Sequence, residues 1–313
     1  MTQRLVDRRQ FAARGAAFGL AALAGAAARA EGAAPGAQGR TVKFPDGTGV
    51  PAIGQGSASL GLGKHPAATE EEALRLGLSL GMGSIDTSGN YGGGRSEELI
   101  GRAIAGARER VFLVSKVEAD EVGGDGIARA CAASLRRLGT DHLDLYLMHW
   151  PVPTRQFAGM VAAFERLRAA KRIRAWGVSN FGVRQMDDLM RVPDGARCAT
   201  NQVPYSLADR AVERDLLAWC RQHGMPVMAY SPLGGPGNLV IRDRTLAAIG
   251  AAHGASAAAV ALAWAVRDGN VLAIPESGNP AHVRENAAAL SLALTPQDLA
   301  ALDAAFPGRG RAR

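Results

Sequence analysis

From Thr41 onward, short apolar runs alternate with amphipathic stretches, and strand-like runs recur eight times in a chain of 313 residues. That alternation and that length predict an α/β chain closed as a (β/α)8 TIM barrel. A doubly wound sheet is disfavoured because no Gly-x-Gly-x-x-Gly turn follows any of the runs. An N-terminal β-hairpin and two extra helices complete the predicted architecture.

The hairpin is read from "TVKFPDGTGVPAIG", which turns at Asp46-Gly47. Strands are then expected at Ala52 to Gly54, Ser84 to Asp86, Val111 to Lys116, Leu143 to Met148, Ala175 to Val178, Ala199 to Gln202, Val227 to Tyr230 and Val271 to Ile274. Between them, helical periodicity marks Glu70 to Leu80, Ile127 to Leu138, Phe157 to Ala170, Val212 to His223 and Thr245 to His253. Ala257 to Val266 and Pro296 to Ala305 are surplus to the eight-unit count and are read as the two additional helices.

Composition narrows the function. With 47% hydrophobic and 21% charged residues, the body of the chain can bury a sizeable core. A formal charge of +7 is scattered rather than gathered into a stripe with interleaved aromatics, which argues against nucleic-acid binding. Cys131, Cys198 and Cys220 lie in apolar surroundings with no metal-ligand spacing, and read as small buried hydrophobes. No metal site is expected.

The first residues read as an address. Arg8-Arg9 precede a weakly hydrophobic Ala/Leu/Gly run that ends in Ala28-Arg29-Ala30, the layout of a signal peptide. With Gln10 and Phe11 following, the arginine pair resembles the twin-arginine export signal, although Asp7 stands where that motif usually has Ser or Thr. Residues 1–30 are therefore read as a twin-arginine-type signal peptide, 31–40 as a flexible linker and 41–313 as the barrel. The expected destination is the periplasm, with no stable membrane anchor after cleavage.

In such a barrel, chemistry sits at the carboxyl ends of the strands. Asp86 closes the second strand, Tyr91 lies in the glycine-rich loop after it, Lys116 ends the third strand and His149 follows the fourth. Singly, each has an ordinary reading as a turn, surface or packing residue. Together they would converge on one pocket. A lysine there needs a carboxylate partner, and Asp86 is the one available. A phenol beside that ammonium is expected to ionise below its free value of about 10, making Tyr91 a proton donor. His149 would hold the substrate oxygen. A proton donor without metal or nucleophile suits hydride transfer to a carbonyl, and the hydride must come from a cofactor.

The segments "IDTSGNYG", "LVSKV", "LDLYLMHWP", "WGVSNF", "NQVPYS", "MAYSPLG" and "AIPESGNPAHVREN" occur in the order of the successive signatures of the aldo-keto reductases. The chain resembles that family from the hairpin almost to its end, and is similar to bacterial methylglyoxal-reductase-like members through "CAASLRRLGTDHLDLYLMHW" and "CATNQV". The resemblance implies a catalytic tetrad of Asp86, Tyr91, Lys116 and His149, with His149 and Trp150 at the substrate. It implies nicotinamide contacts from Ser179, Asn180, Gln202 and Tyr230, pyrophosphate contacts along Ser231, Pro232 and Leu233, and an adenosine end at Ser277, Gly278, Glu285 and Asn286. It implies small aldehydes or 2-oxoaldehydes as substrates, and a monomer is expected. A second reading, a non-turnover nicotinamide-binding redox-sensing or regulatory subunit, follows from the same fold.

Two departures matter. NADP-preferring members usually carry a lysine after the last strand's Ile-Pro and an arginine a turn further on, where this chain has Glu276 and His282. A carboxylate there would repel a 2′-phosphate and suit a free ribose hydroxyl, so NADP is expected with NAD possible. Arg284 or His282 remains within the same segment to meet the phosphate. In the first loop, Ala58 replaces a frequent tryptophan, implying an open pocket walled mainly by Trp150.

Overall fold

The structure, a computed structural model, describes residues 39–308 except 236 and 238. The signal-peptide segment and most of the linker lie outside the described residues.

Strands β1 (Thr41–Lys43) and β2 (Gly49–Pro51) form the expected antiparallel hairpin. Asp46 closes its turn by accepting from the Thr48 N–H at 2.9 Å and hydroxyl at 2.8 Å. Phe44 beyond β1 meets Phe112, the first residue of a barrel strand, at 5.1 Å between ring centroids, so the hairpin covers the amino-terminal end of the barrel.

The barrel then runs β3 (Gln55–Gly56), α1 (Ala67–Ser79), β4 (Ser84–Asp86), α2 (Arg95–Ala103), β5 (Phe112–Val117), α3 (Gly126–Leu138), β6 (Leu143–Met148) and α4 (Phe157–Ala169). It continues with β7 (Ile173–Ser179), α5 (Val183–Met190), β8 (Asn201–Pro204), α6 (Leu216–Gln222), β9 (Val227–Tyr230), α7 (Arg244–Ala252), α8 (Ala257–Ala265), β10 (Val271–Ala273), α9 (Pro280–Ala287) and α10 (Pro296–Ala305). Strands β3 to β10 pair in parallel in sequence order. The ends of the sheet meet: Gly54 N–H bonds to Ala273 O at 2.8 Å, and Gly56 N–H to Pro275 O at 2.9 Å. At that seam a Cβ on Gly56 would lie 2.9 Å from the backbone oxygen of Ile274, so glycine lets β3 approach the chain after β10 this closely.

Side-chain alternation sorts the strands into an inner and an outer face. In β6, Leu145 and Leu147 join the inner cluster, whereas Tyr146 and Met148 pack outward. Outside, Phe164 of α4 stacks on Trp176 at 5.5 Å and meets Tyr146 edge-on at 5.9 Å. α4 buries Phe157, Met160, Val161, Phe164 and Leu167, the spacing of one helical face. α8 is buried on all sides and starts at Ser256, whose hydroxyl accepts from the Ala259 N–H.

Several boundaries differ from the sequence reading. The first barrel strand is Gln55–Gly56 rather than Ala52 to Gly54, where Ile53 forms only a lone bridge to Ala273. The strand expected at Ala199 begins at Asn201. The helix expected over Val212 to His223 is a 3-10 turn, Ala211–Arg214, followed by α6, because Asp215 at φ −152° breaks the helical path. Helices α2, α5 and α9 fill units for which the periodicity singled out no helix.

Candidate active site

Inner parity carries the chemistry to the top of the barrel. Asp86 shares the inner face of β4 with Ser84, Lys116 that of β5 with Val114, and His149 continues the Leu145, Leu147 row of β6. On the far side Gln202 stands opposite Met228, two residues before Tyr230.

Lys116 is 1% exposed, and Asp86 meets its Nζ through Oδ2 at 2.7 Å. The ammonium also donates to Thr87 O at 2.9 Å and to Tyr91 OH at 3.2 Å. Asp86 accepts a further bond, on Oδ1, from Gln202 Nε2 at 2.8 Å. Burial pulls the lysine toward deprotonation, but the Asp86 carboxylate and the Tyr91 oxygen outweigh it, and its pKa lies above the ordinary value. The buried cation expected from the sequence is thus held by the expected carboxylate.

Tyr91 opens a 3-10 turn through Gly92, Gly93 and Gly94, with φ of 61°, 66° and 95°. Three successive left-handed residues require glycine. At Gly94 a Cβ would also fall 2.5 Å from Arg137 Cδ. Arg137 is in turn held by Glu97 at 2.6 Å, so the loop that aims the phenol is braced from beneath.

The expected fall in the Tyr91 pKa does not occur. Burial raises the phenol above its ordinary value, and the adjacent Lys116 ammonium offsets this only in part while Asp86 and Glu118 add to it. The reason is desolvation: the pocket removes the phenolate from water, and the lysine's charge is already shared with Asp86.

His149 lies against Tyr91, edge to face at 5.8 Å, and stacks on Trp150 at 5.7 Å. Its Nδ1 stands 2.5 Å from Glu118 Oε1. Trp150 is 48% exposed, which suits a wall at a pocket mouth. Asn180 Nδ2 donates to His149 O at 3.1 Å and to Ser179 Oγ at 3.0 Å, and Tyr230 OH donates to Asn180 Oδ1 at 3.0 Å. Asn180 and Ser231 hold φ of 65° and 50°, a left-handed backbone that non-glycine residues seldom adopt and that clusters at functional sites.

A cavity of about 600 Å³ gathers Asp86, Tyr91, His149, Trp150, Ser179, Asn180, Gln202, Tyr230, Ser231, Pro232 and Leu233. Lys116 sits beneath it. Ser277, Gly278, Glu285 and Asn286 are not among its lining residues. They belong to the segment after β10 and to α9, directly following Glu276, which does line the cavity. The volume is within the range of small-molecule and cofactor clefts, about 300–1,000 Å³. The left-handed Asn180 and Ser231, with a row of amide and hydroxyl groups between them, fit a nicotinamide dinucleotide.

Sequence reasoning missed several lining residues, among them Gly56, Ser57, Ser59 and Lys64. Ser59 donates to Glu276 twice, from its N–H at 2.9 Å and its hydroxyl at 2.5 Å, tying the first loop to the last. Glu118 was missed as well. Its signal was present: it lies two residues after Lys116 and so on the same side of the strand path.

A carboxylate, an ammonium and a phenol in hydrogen-bonded series can hand a proton to an oxygen bound in the cavity, the chemistry that an oxidoreductase of aldehydes or ketones needs. Comparison with known proteins is more specific. The chain belongs to the aldo/keto reductase family, whose sequence model matches residues 52–306. It is 46% identical to methylglyoxal reductase YeaE of Escherichia coli over 86% of this chain and 96% of that one. An aldo-keto reductase of Mycobacterium sp. is 36% identical over 85% of this chain and 93% of its own length. The crystal structure of an aldo/keto reductase from Klebsiella pneumoniae, in complex with NADP and acetate, superposes with a TM-score of 0.84 at 44% identity, covering 88% of this chain and 98% of that one.

Proposed function

We propose that the protein reduces small aldehydes and 2-oxoaldehydes to alcohols with NADPH, Tyr91 acting as general acid. The observation that carries this reading is the Tyr91 hydroxyl 3.2 Å from the Lys116 ammonium at the floor of the cavity. The similarity to a methylglyoxal reductase and to a relative solved with NADP supports the substrate class and the cofactor.

When bound, the reduced nicotinamide supplies a hydride for the carbonyl carbon. The residues of the chain handle the oxygen. A phenol is protonated at neutral pH, and burial moves Tyr91 further in that direction, so the acid form is the one on hand. As its proton passes to the substrate oxygen, the phenolate left behind faces Lys116, whose ammonium is held in place by Asp86. Ser179, Asn180, Gln202 and Tyr230 line the face suited to the nicotinamide, and Ser231 to Leu233 the path suited to the pyrophosphate. This intact proton-transfer series favours turnover over the regulatory-subunit reading. The test is direct: purified protein mixed with NADPH and methylglyoxal should consume the reduced nicotinamide, and no consumption with any small aldehyde would defeat the proposal.

Cofactor preference is expected to turn on Glu276. Its carboxylate meets Ser59 at the cavity rim, where Lys64 is the cation on the same lining. Glu276→Lys should lower the NADPH Michaelis constant by about tenfold, the effect of ~1.4 kcal/mol, and leave kcat unchanged. Steady-state kinetics with NADPH and NADH check it, and an unchanged constant would separate Glu276 from the 2′-phosphate.

The enzyme is proposed to act in the periplasm, exported already folded by the twin-arginine route with its dinucleotide bound. Replacing Arg8 and Arg9 together by lysine should then retain the protein in the cytoplasm on cell fractionation. Equal periplasmic recovery of both forms would remove the route.

A further inference from the structure

We infer that Glu118 is a positioning residue that locks His149 in the tautomer bearing its hydrogen on Nδ1, so that Nε2 donates to a substrate oxygen only when the ring is doubly protonated. The inference deepens the carbonyl-reductase reading above and rests on it for its kinetic consequence.

The geometry is specific. Glu118 follows β5 on the side shared with Lys116, and its Oε1 lies 2.5 Å from His149 Nδ1. A carboxylate offers only lone pairs, so the hydrogen of this contact belongs to Nδ1. Ser88 Oγ, 3.4 Å from the same nitrogen, is the other group in reach. A neutral imidazole has a single N–H, and with that hydrogen on Nδ1 its Nε2 presents a lone pair. No group among the described residues hydrogen-bonds to Nε2, and the ring lines the cavity beside Tyr91.

The consequence depends on which substrate form is bound. A carbonyl oxygen is an acceptor, so it meets the neutral ring lone pair to lone pair, and accepts from Nε2 only once the ring carries both hydrogens. An alcohol is a donor as well, and its hydroxyl can give its hydrogen to the neutral Nε2. One ring therefore favours the carbonyl when protonated and the alcohol when neutral.

The charged and titratable groups facing His149 come from three neighbouring segments: Lys116 and Glu118 from β5 and its exit, Asp86 from β4, and Tyr91 from the loop after β4. Burial and the Lys116 ammonium press the ring toward its neutral form, and Glu118 and Asp86 draw it back in part, leaving the pKa below its ordinary value of 6.5. The protonated ring is then lost as pH rises through that lowered value. Carbonyl reduction should be greatest in mild acid and fall toward neutrality. Tyr91, raised above 10, contributes no change in that window.

Two measurements on the folded chain test this. In long-range proton–nitrogen correlation spectra near pH 8, the His149 ring, assigned by its loss in His149→Ala, should show the Nδ1–H pattern. In Glu118→Leu it should shift to the Nε2–H pattern. Glu118→Gln serves if the leucine variant does not fold, because its amide can donate to Nδ1 and so permits the other tautomer. In kinetics, kcat/KM for methylglyoxal should fall by up to about tenfold per pH unit above the ring's pKa in the parent, and the Glu118 variant should lose that limb. An Nε2–H ring in the parent, or superimposable pH profiles for parent and variant, overturns the role of Glu118. Absence of turnover at every pH defeats the reductase reading instead, and the spectra then decide on Glu118 alone.

Discussion

Tyr91→Phe is expected to lower kcat for aldehyde reduction by about 10²–10⁴, the usual contribution of a positioned acid, while the NADPH dissociation constant stays within about twofold of the parent. The separation follows from the contacts. The phenol's protein hydrogen bond is to Lys116, and that ammonium keeps Asp86 at 2.7 Å and Thr87 O at 2.9 Å when the hydroxyl is removed. The ring and its edge contact with His149 persist, so the cavity keeps its shape. Stability should change by no more than about 1 kcal/mol, one modest hydrogen bond. Single-turnover oxidation of NADPH, set beside a nucleotide titration by fluorescence, distinguishes loss of proton transfer from loss of binding. Turnover within tenfold of the parent would mean that another group, His149 being the nearest candidate, donates the proton.

Lys116→Met should lose comparable activity and, unlike Tyr91→Phe, a large share of stability. The methionine matches the lysine stem but leaves Asp86 buried at 3% exposure without its cation, retaining only the Gln202 amide as a side-chain donor. Breaking a buried pair from one side costs about 3–5 kcal/mol, which for a domain of this size lowers the melting temperature by roughly 5–9 °C. The phenolate formed by Tyr91 would also lose the charge that receives it. Thermal unfolding and kinetics on one preparation measure both effects. A variant as stable as the parent would show that Asp86 finds another partner, and that the pair matters for chemistry rather than for the fold.

The site was legible in the sequence to the extent that strand ends are legible. Asp86 ends β4 and Tyr230 ends β9, as the apolar runs implied, and the parity of Lys116 and His149 follows from counting along β5 and β6. Legibility failed where runs were short or polar. β3 is only two residues long and is defined by its pairing with β4, with single bridges toward the β10 side, so its position could not be counted from its own composition. α5 and α9 are only eight residues each, shorter than the window over which a helical period can be counted, even though α5 buries Met186 and Leu189 on one face.

Alternating apolar runs, caps such as Ser256 and Thr295, and glycines at the Tyr91 turn are local properties, and from them the chain alone determined a barrel with an acid, an ammonium, a phenol and an imidazole at its rim. Tertiary structure decided what depends on distances between remote residues. It reversed the direction of the Tyr91 ionisation, because the depth of burial had to be weighed against a lysine already shared with Asp86. It brought Glu118 to His149 and Ser59 to Glu276 across gaps of 31 and 217 positions. Solvation and charge balance change steeply over a few ångströms, and those ångströms are set only when the barrel closes.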